Sequence, residues 1–387
     1  MTLAELTAAQ RVVILIQENH TVDNYFGGLA PWGANVATGW PVLQNPPPKP
    51  PFSASYPPHN RQAYFEWLTS GKAEHSQVDT ATVLPYYLHL AVSYAFLENH
   101  CAGFGTDSTA NHMLLVGGQS PTLRNPASGT APEWDLPSVP GSAGDHGLTW
   151  RCYSDDGYPV SFYTQLKASP SVVPLSHLSS DAAAGALPQL MYIWHRSGLD
   201  EHPPSDVTAG MNAVWQAVDT IVNAGGWDDT VFMLTWDDWG GFDDHVATPA
   251  VEYTPDNVQV AYGARVPLLM FGGRVKPGID SRWCSHISIP KTALQLLDLP
   301  PLGVPRLDDD AGLADLVDTS RQANPQPPAY GTALAPLTPP SPRPAPRPLP
   351  PQPSGRPQPV GPVIRRSGAA LPPPNDAPLP KQPAPPQ

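Results

Sequence analysis

The sequence predicts an α/β fold in which helices cover both faces of a doubly wound, mostly parallel sheet. Apolar runs of strand length alternate with segments whose apolar residues recur at helical spacing. The predicted strands are residues 11–16, 149–154, 230–236 and 265–271. Residues 207–223 form the clearest predicted helix and lead directly into the third strand. Such alternation is typical of a sheet whose crossovers are helical.

The remaining helices are predicted from apolar spacing and from residues that favour helix starts. They cover residues 62–69, 85–98, 111–116 and 288–297. The third of them follows a run of small polar residues that suits a helix N-cap. The last begins at Ser288 with Pro290 in its first turn, where proline needs no partner for its missing N–H.

Composition divides the 387 residues into a body and a tail. A hydrophobic content of 41% is enough for a large core, but the 53 prolines crowd beyond Asn324, where aromatic and β-branched residues are scarce. We therefore predict a folded domain over residues 1–323 and a disordered, proline-rich tail over residues 324–387. The tail is expected to contribute little to stability.

Net charge also differs between the body and the tail. The chain carries −13 at pH 7, and residues 331–387 carry +5, which leaves −18 on residues 1–330. An acidic body lacks the basic face that binds a nucleic-acid backbone, so no nucleic-acid partner is expected. The basic tail could bind an anionic surface or a proline-recognition domain, although a solvated spacer is the simpler interpretation.

The cysteines and the amino terminus exclude several classes of protein. Cys101, Cys152 and Cys284 show no Cys-x-x-Cys spacing, which argues against a zinc ribbon or a thioredoxin-type motif, and at most one disulfide can form. The sequence shows no signal peptide and no apolar stretch that reaches the length of a membrane span. The chain as written would stay cytoplasmic, but its early first strand would also fit an export signal already removed.

Acidic residues directly follow two of the predicted strands. Glu18 and Asn19 come after the first strand, and Asp237 and Asp238 come after the third. Because ligands bind at the carboxyl ends of strands in open α/β sheets, the two clusters can converge on one site. Carboxylates and an amide carbonyl are the oxygen ligands that hard divalent cations prefer. The sequence therefore predicts a divalent metal site here, with two separate solvated turns as the alternative.

A nucleophile and several histidines complete the candidate site. Ser108 and Thr109 lie near a predicted helix start, where backbone N–H groups favour a phosphate, and either hydroxyl could be a nucleophile or merely a helix cap. Two candidate histidines lie beside prolines, and two more follow strand or loop ends: His59, His202, His245 and His286. Prolines beside an imidazole restrict the backbone and help to aim the ring. The last two could equally be buried structural residues.

Five short motifs occur in a fixed order between residues 11 and 303. They are residues 16–27 (IQENHTVDNYFG), 57–59 (PPH), 84–104 with 108–111 (STAN), 201–203 (EHP) and 237–246 (DDWGGFDDHV). In this order they resemble the bacterial family of phospholipase C and acid phosphatase, within the alkaline-phosphatase-like superfamily. Five ordered motifs are far more specific than any one of them.

The resemblance implies an alkaline-phosphatase-like fold and a phosphoesterase catalytic domain over residues 1–323. It implies a divalent metal ion held by four side chains and the nucleophile hydroxyl: Glu18, Asn19, Asp237, Asp238 and Ser108. His59 and His202 would contact the phosphoryl oxygens and the leaving group. The chain departs from the family at Ala110 and His112, where relatives usually have proline and arginine, so Thr109 stays the alternative nucleophile.

Together these residues predict a metal-dependent phosphoester hydrolase that acts on a phosphomonoester through a phosphoserine intermediate. The first alternative is a phospholipase C-type phosphodiesterase that recognises a phospholipid headgroup. The second is a non-catalytic binding module on the same fold, with the tail as its working part. Sulfate-ester hydrolysis is a weaker third, because no modified-cysteine motif surrounds Ser108.

Overall fold

Short strands and helices alternate along the computed structural model, which describes residues 11–43, 57–127, 130, 132–253, 259–341, 344–345 and 347–349. The described strands are β1 (Arg11–Gln17), β2 (Val42–Leu43), β3 (Gln77–Val78), β4 (Ala95–Leu97), β5 (His100–Cys101), β6 (Trp150–Tyr153), β7 (Val172–Val173), β8 (Leu190–Trp194), β9 (Thr230–Trp236), β10 (Ala250–Tyr253), β11 (Gln259–Ala261), β12 (Leu268–Gly272), β13 (Gly278–Asp280) and β14 (Cys284–Ser285).

Eight of these described strands form the central sheet, in the order β13-β4-β12-β9-β1-β8-β6-β7. Strand β1 lies near the middle and pairs in parallel with both β8 and β9. Strand β12 is antiparallel to both of its neighbours, β9 and β4, and the other pairs in the sheet are parallel. The predicted mostly parallel sheet is confirmed.

Helices cover both faces of the sheet. The described helices are α1 (Val22–Phe26), α2 (Arg61–Ser70), α3 (Thr80–Val83), α4 (Pro85–Ser93), α5 (Ser108–Gly117), α6 (Val139–Asp145), α7 (His177–Ala183), α8 (Val207–Asn223), α9 (Ser288–Leu296) and α10 (Pro305–Asp308). Side chains alternate along β1, so Ile14 joins a core with α5 and α9, whereas Leu15 joins a core with α4 and α8. The α/β fold with helices on both faces is therefore as predicted.

Several predicted boundaries differ from the structure. The helix predicted over residues 85–98 ends at Ser93, because Tyr94 is extended and residues 95–97 join the sheet as β4. The helix predicted over residues 111–116 begins earlier, at Ser108. The strand predicted over residues 265–271 is Leu268–Gly272. Strand β8, which adjoins β1, was not predicted.

The first part of the predicted tail lies on the domain. Side chains of three aromatic residues donate to its backbone carbonyls: Trp227 to Asn324 at 2.8 Å, Tyr94 to Pro325 at 2.7 Å and Trp215 to Pro328 at 2.7 Å. Contacts continue to Leu334 and Leu337, which pack against the core beneath α4 and α8. The structure therefore differs from the boundary predicted at residue 323, because bound carbonyls and two leucines hold residues 324–337.

Other predictions about the termini and cysteines have separate outcomes. Residues 350–387 lie outside the described residues, as do residues 1–10, and the partners suggested for the tail stay predictions. Cys101, Cys152 and Cys284 are buried and form no disulfide. In the part of the chain that the structure describes, no helix combines the length and apolar character needed to cross a membrane.

Candidate active site

Strands β1 and β9 bring the residues that follow them to the same edge of the sheet. The two strands pair in parallel, with Gln17 opposite Trp236. The ladder continues for one more step, because the Asp237 amide donates to the Gln17 carbonyl at 3.0 Å. The structure therefore places the two predicted acidic clusters side by side.

Hydrogen bonds join the two clusters directly. The backbone amide of Asn19 donates to Asp237 Oδ1 at 2.9 Å, and its side-chain Nδ2 donates to Asp238 Oδ1 at 2.8 Å. Ser108 Oγ, at the start of α5, donates to Asp238 Oδ2 at 3.3 Å and to Glu18 Oε2 at 3.4 Å. Of these residues Glu18 is the most exposed, with 15% of its side chain accessible. The predicted ligands and the predicted nucleophile thus form one cluster.

Unusual backbone geometry holds this cluster together. Asn19 has a φ of 61°, in the left-handed region that asparagine tolerates better than most residues. Gly240 has a φ of 62°, and a Cβ there would lie 2.4 Å from the Asn19 carbonyl oxygen. The Gly240 amide also donates to Asp238 Oδ1 at 2.7 Å. A glycine is therefore needed for the loop after β9 to close on the loop after β1.

His112 lies inside the cluster, although sequence analysis identified it only as a departure from the family pattern. Its Nε2 lies 2.9 Å from Glu18 Oε1 and 3.4 Å from Asp237 Oδ2. Its Nδ1 accepts a hydrogen bond from Trp194 Nε1 at 3.2 Å. Residues four apart share a helix face, so the spacing from Ser108 to His112 is the signal that could have identified it.

Three carboxylates share this site with one imidazole. Burial and the neighbouring Asp237 raise the pKa of Glu18, and the same two causes hold the pKa of Asp238 well above its usual range. Burial also opposes ionisation of Asp237, but the contact with His112 outweighs it and lowers that pKa. A divalent cation relieves an excess of buried negative charge of this kind.

The charge of the neighbouring carboxylates favours a protonated His112 ring, whereas the contact with Trp194 favours a neutral one. Burial opposes the protonated ring, but Glu18 and Asp237 outweigh it and raise the pKa to about 10. An indole N–H can only donate, so the bond from Trp194 requires a lone pair at Nδ1, which a protonated ring lacks. The geometry of the Trp194 contact therefore favours the ring that keeps its lone pair on Nδ1.

The donor set fits a hard divalent cation. With metal–ligand bonds of about 2.1 Å, ligands at right angles are about 3.0 Å apart and ligands at the tetrahedral angle about 3.4 Å apart. The separations of Ser108 Oγ from Glu18 Oε2 and from Asp238 Oδ2, 3.4 and 3.3 Å, lie in this range. In the described part of the chain, Asn19 Oδ1 is buried without a hydrogen-bond partner, which is the state of an oxygen suited to a cation.

Ser108 and Thr109 have different surroundings. The Thr109 hydroxyl accepts a hydrogen bond from the Tyr158 hydroxyl at 3.1 Å. The Thr109 amide donates to Asn125 Oδ1 at 2.8 Å. Ser108, rather than Thr109, therefore has its hydroxyl at the acidic cluster.

The rings of His59 and His202 lie together, with centroids 5.6 Å apart. Each Nδ1 contacts a carbonyl of its own loop, Pro57 at 3.0 Å and Pro203 at 2.7 Å. Because a carbonyl can only accept, each Nδ1 carries the hydrogen, and in the neutral ring the lone pair is on Nε2. Burial lowers the pKa of His59, and the negative charge of Asp237 acts in the opposite direction. These contacts fix both rings on loops beside the acidic cluster.

The Phosphoesterase family profile matches residues 47–300 of this sequence. The chain belongs to the Phosphoesterase family. The resemblance inferred from the five motifs is confirmed at this level. The matched range includes Ser108, Asp237 and Asp238, whereas Glu18 and Asn19 precede it. The pairing of β1 with β9 is what brings these two residues into the site.

Two curated proteins show what this chain is similar to. The non-specific phospholipase C6 of Arabidopsis thaliana is 26% identical over 251 residues, which cover 56% of this chain and 48% of that protein. The non-hemolytic phospholipase C of Pseudomonas aeruginosa is 25% identical over 305 residues, which cover 63% of this chain and 44% of that protein. The chain spans about half the length of the curated relatives it matches.

One solved structure also matches part of this chain. A protein of the alkaline phosphatase superfamily from Vibrio parahaemolyticus has 14% sequence identity with this chain. The superposition covers 75% of this chain and 67% of that one, with a TM-score of 0.41.

His286 and His245 make structural contacts. His286 is fully buried, accepts from the Gly103 amide at 3.2 Å and contacts the Trp236 carbonyl at 2.9 Å. Burial lowers its pKa well below the usual range. His245 lies 2.6 Å from the carboxylate of Asp23, in a second acidic cluster. These contacts support the turns that carry the acidic residues.

A buried arginine fills the second acidic cluster. Arg265 Nε donates to Asp244 Oδ1 at 2.8 Å, and its Nη2 donates to Asp23 Oδ1 at 3.2 Å. The guanidinium therefore supplies the positive charge that this cluster needs. Because Asp23 follows β1 and Asp244 follows β9, Arg265 ties together the two loops that carry the metal-site residues.

Glu201, which sequence analysis also missed as a functional residue, anchors the segment that carries His202. It is fully buried with a φ of 69°. Its carboxylate accepts from Gln17 Nε2 at 2.9 Å and from Trp236 Nε1 at 2.8 Å, at the ends of β1 and β9. Burial raises its pKa to about 7.

Proposed function

We propose that this chain is a metal-dependent phosphoester hydrolase whose nucleophile is Ser108. One observation carries the proposal: Ser108 Oγ lies at the helix start within hydrogen-bond distance of both Asp238 and Glu18. The carboxylates come from two different strand ends, and Asn19 lies between them. Membership of the Phosphoesterase family supports the reaction class.

The residues of the cluster would hold the cation through oxygen atoms. Glu18, Asn19, Asp237 and Asp238 are the proposed ligands, with the Ser108 hydroxyl beside them. When bound, a divalent cation lowers the pKa of a neighbouring hydroxyl and stabilises charge on phosphoryl oxygens. The start of α5 adds backbone dipoles that favour the same phosphoryl group.

The proposed reaction has two displacement steps. Ser108 Oγ attacks phosphorus in line with the leaving alkoxide, and its proton moves toward Asp238 Oδ2, to which it donates a hydrogen bond. The bond from phosphorus to the alcohol breaks, and His202, which must enter this step with a hydrogen on Nε2 as well as on Nδ1, protonates the departing oxygen. Water then attacks the phosphoserine and gives a proton to His202 Nε2, the bond from phosphorus to Ser108 breaks, and Asp238 returns its proton to Ser108 Oγ. His59, beside His202, would hold the phosphoryl oxygens.

The same machinery serves a monoester and a diester. The sequence-based prediction is a phosphomonoester, for which the second step releases inorganic phosphate. The names of the phospholipase C relatives favour the diester alternative, in which the alcohol of a phospholipid leaves first and the second step releases the phosphorylated headgroup. The two alternatives differ in the group that Ser108 carries between the steps.

Hydrolysis of three chromogenic substrates tests the proposal. They are p-nitrophenyl phosphate, p-nitrophenyl phosphorylcholine and bis(p-nitrophenyl) phosphate, each assayed before and after chelation. We expect hydrolysis that is lost on chelation and restored by a divalent cation. Preference for the first substrate supports a monoesterase, and preference for the second supports a phospholipase C-type enzyme. Full activity in metal-free protein would refute the metal site, and inactivity on all three substrates would favour the non-catalytic binding module.

A further inference from the structure

A chain of buried contacts links Trp194 through His112 to the carboxylates of the acidic cluster. Trp194 ends β8 and lies opposite Ile16 of β1, two residues before Glu18. Its indole N–H donates to His112 Nδ1 at 3.2 Å. On the other side of the ring, Nε2 lies 2.9 Å from Glu18 Oε1 and 3.4 Å from Asp237 Oδ2. The His112 side chain is fully buried, so these contacts are shielded from water.

By distance alone, His112 resembles a metal ligand. Its Nε2 and one oxygen each from Glu18 and Asp237 lie within 4.8 Å of one another. A nitrogen among these oxygens would favour a softer transition metal over magnesium. The separations of 2.9 and 3.4 Å also match those between ligands of one cation.

The contact with Trp194 opposes that interpretation. A neutral imidazole that binds a metal through Nε2 carries its hydrogen on Nδ1. In this structure such a hydrogen would point at the indole hydrogen of Trp194, because the two nitrogens are 3.2 Å apart and neither would then offer a lone pair. The opposite tautomer satisfies both sides, because Nδ1 then accepts from Trp194 and Nε2–H donates to Glu18.

We propose that His112 is a positioning residue and not a metal ligand: Trp194 holds it in the Nε2–H tautomer, and that N–H holds the Glu18 carboxylate in place for the cation, next to Asp237. The inference rests on the metal site of the proposed function and adds to it the residue that orients one of the ligands. Groups that hydrogen-bond to metal ligands commonly change metal affinity by about 10- to 100-fold.

The tautomer can be measured directly in the native protein. Nitrogen-15 NMR of histidine-labelled, Mg²⁺-loaded protein should show His112 with a hydrogen on Nε2 and none on Nδ1. The signal is assigned by its loss in His112→Gln. Pulsed EPR of the Mn²⁺-loaded protein should show no histidine nitrogen bound to the metal. A hydrogen on Nδ1, or a bound nitrogen that disappears in His112→Gln, would overturn the inference.

Metal affinity supplies the second measurement, by calorimetric titration with Mn²⁺. We expect His112→Ala to weaken binding by about 10- to 100-fold, and His112→Gln, which keeps an N–H donor, to recover part of the loss. Trp194→Phe should weaken binding less and should raise the fraction of His112 with a hydrogen on Nδ1. An unchanged tautomer in Trp194→Phe would refute the role of the indole.

A matched control separates positioning from general damage to the fold. The Tyr158 ring lies edge-on to His112, with centroids 5.0 Å apart, but its hydroxyl donates to Thr109 instead. Tyr158→Phe should therefore keep native Mn²⁺ affinity within about twofold, and a loss as large as that of His112→Ala would contradict the inference. Native protein that binds no Mn²⁺ would refute the metal site and the inference together, whereas binding through a His112 nitrogen would refute the inference alone.

Discussion

Replacement of Ser108 by alanine should abolish turnover and leave the protein folded. The variant removes the hydroxyl that lies 3.3 Å from Asp238 Oδ2 and 3.4 Å from Glu18 Oε2. In the proposed reaction this oxygen forms the bond to phosphorus, so its loss removes the first step. The neighbouring Thr109 cannot replace it without rearrangement, because its hydroxyl is bound to Tyr158.

The structure predicts very different magnitudes for activity and stability. Loss of the nucleophile from a covalent hydrolase lowers kcat on the order of 10⁴- to 10⁶-fold, which corresponds to about 5 to 8 kcal/mol in the barrier. The hydrogen bonds of Ser108 are long, and a net contribution of about 1 kcal/mol is usual even for good ones. The melting temperature of Ser108→Ala should therefore stay within a few degrees of native.

Steady-state hydrolysis and chemical trapping check this prediction together. Native enzyme quenched in acid during turnover should carry a phosphoryl group on Ser108, detected by peptide mass spectrometry. The control is Thr109→Ala, which should keep activity within about tenfold because only the contact with Tyr158 is lost. If Thr109→Ala is inactive and Ser108→Ala is active, the assigned nucleophile is wrong. If both variants are active, the covalent mechanism itself is refuted.

Three further predictions concern the metal, the carboxyl-terminal segment and pH. Asp238→Asn should lower bound metal and activity together, measured by elemental analysis, and retained metal would contradict its role as a ligand. Truncation after residue 323 should lower the melting temperature by several degrees, because at least three hydrogen bonds of about 1 kcal/mol each are lost, and an unchanged melt would show that these contacts contribute nothing. Burial raises the pKa of Glu201 from 4.5 to about 7, so between these pH values the folded state holds a proton that the unfolded state has lost. The free energy of unfolding should therefore fall by about 3 kcal/mol as pH rises from 4.5 to about 7. The free energy of unfolding, measured with urea at pH 4.5 and at about pH 7, should change less in Glu201→Gln than in the native protein. An equal change in the two proteins would refute this assignment.

Features that depend on local pattern were predicted well from the sequence. The helix Val207–Asn223 and the strand Thr230–Trp236 match their predicted bounds, because both combine clear periodicity with clear end signals. The pairing of the acidic clusters followed from a general property of parallel sheets, which needs only the strand ends. By contrast, β8 is a short apolar run that periodicity alone cannot assign.

The parts of the site that were missed depend on contacts between distant segments. His112 and Glu18 are 94 residues apart, and Trp194 is 82 residues beyond His112. A histidine on a helix has no local feature that distinguishes a ring beside three carboxylates from an ordinary core residue. The carboxyl-terminal segment was misjudged for a related reason, since its composition does not show that Trp215 and Trp227 donate to its carbonyls.

The geometry of the site follows from the electrostatic problem that it must solve. Glu18, Asp237 and Asp238 bring three carboxylates together in a buried place, where their mutual repulsion and desolvation oppose folding. Neutral donors offset part of this cost, through the amides of Asn19 and Gly240. A fixed cation in the cluster would stabilise the empty site further but would compete with the metal for the same oxygens. Arg265 pairs instead with Asp23 and Asp244 of the second acidic cluster. The carboxylates of the metal site therefore keep the negative charge that a divalent cation needs.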